Sequence, residues 1–99
     1  MEPRHRVLRE CIRHYLEFEA LCTQSGNYSI EYGEITLNFL DLQDCLRKLS
    51  KRKKEAVYYN VILDWKQKDV AEIMGITTVS VGQYVEQSSI QIEKMLWPE

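Results

Sequence analysis

The stretch WKQKDVAEIMGITTVSVGQY, Trp65 to Tyr84, decides the fold. Within it Val70, Ala71, Met74, Gly75, Ile76, Val81 and Tyr84 fall at the spacing of a helix-turn-helix. Ala71 has to be small because the second helix crosses close to it, and Gly75 accepts the left-handed backbone that a tight turn requires. The other five supply the apolar wedge between the two helices. Thr77 follows the turn, where its hydroxyl can cap a second helix predicted from Thr78 to about Met95. The competing shape is a plain helix hairpin with a glycine turn.

Upstream of this stretch the apolar spacing stays helical. Ser50 reads as the N-cap of a helix from Lys51 to Asp64, whose core face is Val57, Val61 and Ile62. Before it, Leu42, Cys45, Leu46 and Leu49 predict a helix from about Leu37 to Leu49. A first helix is expected from about Pro3 to Cys22, with Val7, Leu8, Cys11, Ile12, Tyr15, Leu16 and Cys22 along one stripe. Between them, residues 23–36 are turn-rich and read as a loop or a short strand. The expected architecture is all-α: a small helical bundle of about five helices with a C-terminal helix-turn-helix, a single domain over residues 1–99. Residues 1–45 would form an N-terminal helical extension with a loop at 23–36, and residues 46–96 the helix-turn-helix module.

Composition agrees with one small globular unit, since 44% of the 99 residues are hydrophobic and only four are glycine and two proline. No apolar run approaches the ~20 residues of a membrane span, and Glu10, Arg13 and Glu17 break up any leader-like core, so a cytoplasmic chain with no membrane partner is expected. The three cysteines, Cys11, Cys22 and Cys45, form no close pair and read as small buried hydrophobes. A metal site built from Cys11, His14, Cys22 and Cys45 would lack the paired knuckles of zinc sites, so no metal and no cofactor are expected. Catalysis has little to rest on: there is no glycine-rich phosphate loop and no nucleophile elbow, and the only imidazoles, His5 and His14, lie in the arginine-rich first helix. A non-enzyme is expected.

The net charge of −2 conceals a segregation. Residues 1–46 carry four Arg against eight acids, residues 47–68 eight Lys or Arg against two acids, and residues 69–99 one Lys against five acids, giving −4, +6 and −4. Nucleic-acid binding needs a local basic footprint rather than a basic average. Arg47, Lys48, Lys51, Arg52, Lys53, Lys54, Lys66 and Lys68 are the candidate phosphate contacts; a solvated face, or pairing with the acidic N-terminal segment, is the alternative. Lys51 to Lys54 stand at a helix start, where cations oppose the macrodipole.

Leu46 through Leu96 resembles region 4, the promoter-reading domain of bacterial RNA polymerase sigma factors. The resemblance lies in Leu-Ser-Lys-Arg-Lys-Lys-Glu-Ala-Val from Leu49, in Asp-Val-Ala-Glu-Ile-Met-Gly-Ile-Thr from Asp69 to Thr77, and in Gln83. It implies that the first stretch opens the helix preceding the helix-turn-helix, that Gln83 lies on the DNA-reading face, and that double-stranded DNA and RNA polymerase are the partners. Small bacterial and bacteriophage regulators use the same module. The sequence departs from the family at Thr78, Ser80, Gly82 and Gln87, where Arg or Lys is common. Base reading would then fall mainly to Gln83, with Thr78 and Ser80 secondary and Val79 able to touch a thymine methyl.

Two functional readings result: a sigma-like transcription regulator that binds DNA, and an adaptor or sigma mimic that grips RNA polymerase without reading DNA. The first helix either completes the core or is an interaction surface, for a second copy of the chain in a homodimer or for polymerase. Trp97 is likewise core cover or an interface anchor.

Overall fold

The computed structural model describes residues 3–26 and 28–98. In chain order the elements are α1 (Pro3–Arg13), α2 (Tyr15–Ser25), β1 (Ser29–Tyr32), β2 (Ile35–Asn38), α3 (Phe39–Arg47), α4 (Lys51–Val57) running into a π-helical turn (Tyr58–Ile62), α5 (Gln67–Met74) and α6 (Thr78–Leu96). Among the described residues the chain is all-α apart from one hairpin, with six α-helices where about five were expected.

The extra helix arises at His14. One helix from Pro3 to Cys22 is expected, but His14 leaves helical geometry at φ −100° and ψ 23° and α2 continues to Ser25. Neither proline nor glycine marks the break. Its cause is tertiary: α1 lies on α6 and the π-helical turn, while α2 lies on α3, so a straight rod would serve only one of these surfaces. The bend leaves Leu16, expected on the apolar stripe, 47% exposed, whereas Tyr15 packs its ring 5.0 Å from that of Phe39.

The stretch read as a loop or a short strand over 23–36 holds the end of α2 and most of an antiparallel hairpin, with Ser29 opposite Asn38 and Tyr32 opposite Ile35. Gly33, at φ 63°, opens its two-residue turn, where the twist of the strands demands a positive φ. Each strand spans four residues, too few for alternation to stand out in sequence, yet Leu37 is buried and Ile30 and Ile35 pack on the core. Leu37 therefore lies in a strand, and α3 starts at Phe39 because Asn38 caps it: Oδ1 accepts from the amides of Leu40 at 2.9 Å and Asp41 at 3.3 Å.

Ser50 caps α4 as expected, its Oγ accepting from the Lys53 amide at 3.4 Å. The α-helix predicted to Asp64 ends instead at Val57 and widens, with the Leu63 amide donating to the Tyr58 carbonyl at 2.9 Å. Tyr59 then stacks on Trp65 with ring centroids 4.9 Å apart. Asn60 Nδ2 donates to the Trp65 carbonyl at 2.9 Å, and Asp64 takes φ 58° to turn the chain toward α5.

Two apolar clusters share α6 as their spine. The first joins Val7, Leu8, Cys11 and Ile12 of α1 to Leu37, Leu42, Cys45, Leu49, Val57 and Ile92; the second gathers Ala56, Val70, Ala71, Met74, Val81 and Val85 around the helix-turn-helix. Where α6 passes close to α4, Ser88 and Ser89 are buried, and their hydroxyls donate to the carbonyls of Tyr84 at 2.6 Å and Val85 at 3.1 Å. His5 Nδ1 meets Glu93 Oε2 at 2.8 Å and ties α1 to α6. Trp97 packs on the first cluster under the Arg4 guanidinium, so it covers core. The apolar stripe of α1 is spent inside its own chain, so it gives no support to the alternative of homodimer pairing. Burial pushes the Cys11 thiol up to about 11 and the Cys45 thiol in the same direction, as for inert small hydrophobes. Among the described residues no helix is long and apolar enough to cross a membrane.

The two glycines of the C-terminal half have opposite roles. Gly75 sits at φ 68° and ψ 35° after α5, so Gly75→Ala is expected to lower stability by about 1–2 kcal/mol. Gly82 lies inside α6, where an added Cβ would meet only the Gln67 amide at 3.6 Å, an ordinary contact, so Gly82→Ala is expected to raise stability by about 0.5–1 kcal/mol. Urea midpoints of the two variants should move to opposite sides of the parent.

Candidate nucleic-acid interface

The helix-turn-helix is built from α5, Gly75 and α6. Val70, Ala71, Met74 and Val81 are buried, and Ile76 and Tyr84 pack partly buried against them. The turn is closed by the Ile76 amide donating to the Ala71 carbonyl at 3.0 Å. Thr77 caps α6, its Oγ1 accepting from the Ser80 amide at 3.1 Å, and its own hydroxyl donates to Ser80 Oγ at 2.8 Å.

The side chains expected to read bases divide accordingly. Thr78, Val79 and Gln83 are exposed, Val79 at 70%, while Ser80 is half-buried in the cap. Glu86 and Gln87 continue the exposed face toward the C-terminus. Glu86 is a residue that a search for cations passes over: a carboxylate one turn from Gln83 repels phosphate and accepts only from a cytosine amino group.

Beside this face lies the start of α5. Gln67 rests over Gly82, next to Gln83 in α6. Whereas α3, α4 and α6 each have a side-chain N-cap, α5 begins at Lys66 with none, so its first amides point outward without a partner side chain. Uncapped amides at the positive end of a helix dipole suit an anion. The signal in the sequence is a Lys where Ser, Thr, Asp or Asn usually stands.

The eight cations named as candidate phosphate contacts are dispersed. Arg52 Nη1 donates to the Met74 carbonyl at 2.9 Å, fastening α4 to the end of α5, and Lys53 Nζ donates to Gln91 Oε1 of α6 at 2.9 Å. Lys48 pairs with Asp44 at 3.2 Å. Arg47 and Lys54 border a groove between α3 and α4. Lys51 and Lys68 are exposed, and Lys66 is exposed in a shallow hollow with Asp64, Trp65 and Asp69. Four consecutive cations on a helix step by ~100° each, so they cannot share one face.

A family model described as sigma-70, region 4 matches residues 39–89, more than half of the chain. The chain belongs to the sigma-70 region 4 family. The match begins at Phe39 rather than Leu46, so region 4 here takes in all of α3 together with α4, the helix-turn-helix and most of α6. No curated protein and no solved structure matches the chain. Outside region 4, α1 and the hairpin supply half of the buried residues of the first apolar cluster, and together with α2 they cover the α3 and α6 faces of the module.

Proposed function

We propose that this region 4 chain is a sigma-like transcription regulator that binds double-stranded DNA together with RNA polymerase, and that it is not an enzyme. The observation that carries the reading is the adjacency of an exposed polar face on α6 to the uncapped start of α5 with Lys66 and Lys68. In this reading α6 enters the major groove with Gln83 toward a base pair and Val79 toward a thymine methyl. Thr78 assists, and Ser80 contributes only the hydroxyl proton that the cap leaves to it. Phosphates are held by the α5 amides with Lys66 and Lys68, and by Lys51 on the α4 side. Arg52 and Lys53 act as struts instead, since both are already bonded to the module.

Binding of the purified chain to mixed-sequence duplex DNA across a salt series tests this. Affinity is expected to be weak and to fall with salt. After selection of a preferred site, Gln83→Ala is expected to relax discrimination at one base pair by about 1–3 kcal/mol, with the other positions unchanged. Unaltered sequence preference would remove Gln83 from the reading face. A second reading, an adaptor that grips polymerase without reading DNA, is favoured by Glu86 and by the absence of Arg and Lys from Thr78 to Gln87. Failure to bind DNA at low salt, with retention of the chain on immobilised RNA polymerase, would select it.

A further inference from the structure

A groove of about 450 Å³ lies between α3 and α4, closed on one side by Tyr15 of α2. Its floor is apolar, formed by Leu46, Val57 and Ile62, and among the described residues no carboxylate lines it. Two cations stand on its border, Arg47 and Lys54, and neither has an ion-pair partner among the described residues. The volume falls within the range of small-molecule sites, and an apolar floor with a few convergent polar groups is their usual lining.

The phenols complete the chemistry. Gln43 Nε2 donates to Tyr15 Oη at 3.3 Å, which leaves the Tyr15 proton available to an incoming acceptor. Burial, opposed by the Gln43 bond, pushes that phenol upward, so it stays a donor at neutral pH. Tyr58 opens the π-helical turn and is 45% exposed, an aromatic ring at the border of an apolar floor.

We propose that this groove binds an amphipathic organic anion, an aromatic or medium-chain carboxylate whose body lies on Leu46, Val57 and Ile62 and whose carboxylate meets Arg47, Lys54 and the Tyr15 hydroxyl. The occupant is an anion because both border charges are positive and Gln43 donates to the Tyr15 oxygen, which leaves the Tyr15 proton for an acceptor. This assignment takes Arg47 and Lys54 out of the phosphate footprint and does not depend on DNA reading.

Titration of the full chain with a naphthalene carboxylate, followed by heat and by side-chain methyl resonances, tests it. Saturable binding is expected with Kd on the order of 0.1–1 mM, as befits a small ligand. The shifts should fall on the Leu46, Val57 and Ile62 methyls. Naphthylmethanol, neutral and of the same shape, should bind at least about tenfold more weakly, and so should the carboxylate to the double variant Arg47→Gln with Lys54→Gln, whose thermal midpoint should stay at the parent value. Equal binding of the alcohol, full affinity in the double variant, methyl shifts instead at Val7 and Ile30, which line a separate pocket beside α1, or no saturation at ~10 mM would each overturn the assignment. Should the double variant melt early, the single variants Arg47→Gln and Lys54→Gln give the same comparison, with each expected to lose a severalfold part of the affinity.

Discussion

Exchange of Lys51, Lys66 and Lys68 for Glu is expected to weaken binding to a mixed-sequence duplex about 100-fold or more at low salt. Each phosphate contact contributes about 0.9 to the slope of log affinity against log salt, so the variant should also lose about three units of that slope. These three lysines are exposed and form no ion pair among the described residues, whereas Arg52 and Lys53 are already bonded within the protein. The fold should tolerate the exchange, since exposed substitutions usually shift stability by about 0.5 kcal/mol or less. At position 51 an acid even suits the positive end of α4. Electrophoretic mobility shifts or fluorescence anisotropy at several salt concentrations would measure the effect, with a thermal melt as the fold control. Binding by the variant equal to that of the parent would remove these three lysines from the phosphate footprint, whereas failure of the parent itself to bind at low salt would leave the polymerase-gripping adaptor. Arg52→Gln makes the opposite comparison: it should lower stability, through the freed Met74 carbonyl, while leaving the salt slope nearly unchanged.

The second large effect lies at the other end of the chain. Leu8→Ala is expected to cost about 2–5 kcal/mol, because Leu8 is fully buried and the helices around it can collapse only partly onto the space it leaves. For a domain of this size that corresponds to a fall of roughly 10–30 °C in the thermal midpoint. Leu16→Ala, eight residues on and at a half-exposed site, should cost about 0.5 kcal/mol or less. If α1 were an appendage on a self-sufficient region 4, the two substitutions would behave alike. A large difference instead means that residues outside the family match hold the module together, as the shared cluster of Leu8, Leu42, Val57 and Ile92 implies.

Much of the module is legible in sequence because its devices are local. Ser50 and Thr77 cap the helices that follow them, Gly75 turns the chain at positive φ, and Val70, Ala71, Met74 and Val81 are buried as their spacing demands. Each of these follows from interactions within a few residues or from the helical period. The hairpin over 29–38 is not legible in this way, since strands of four residues carry too few alternations to outweigh the turn-forming residues around them. The break at His14 is invisible for another reason: no residue there resists a helix, and only the different directions of the surfaces under α1 and α2 bend the chain.

The candidate interface divides along the same line. Sequence alone determined the helix-turn-helix, the polar character of its second helix and the amount of positive charge placed before it. Where that charge goes was decided by tertiary structure. Consecutive side chains on α4 diverge around the helix axis, so Arg52 fastens to α5, Lys53 reaches α6, Lys54 turns to the groove beside α3, and Lys51 remains exposed. A count of charges is a property of the chain, but a footprint requires a common direction. That direction exists only once the neighbours of each helix are in place.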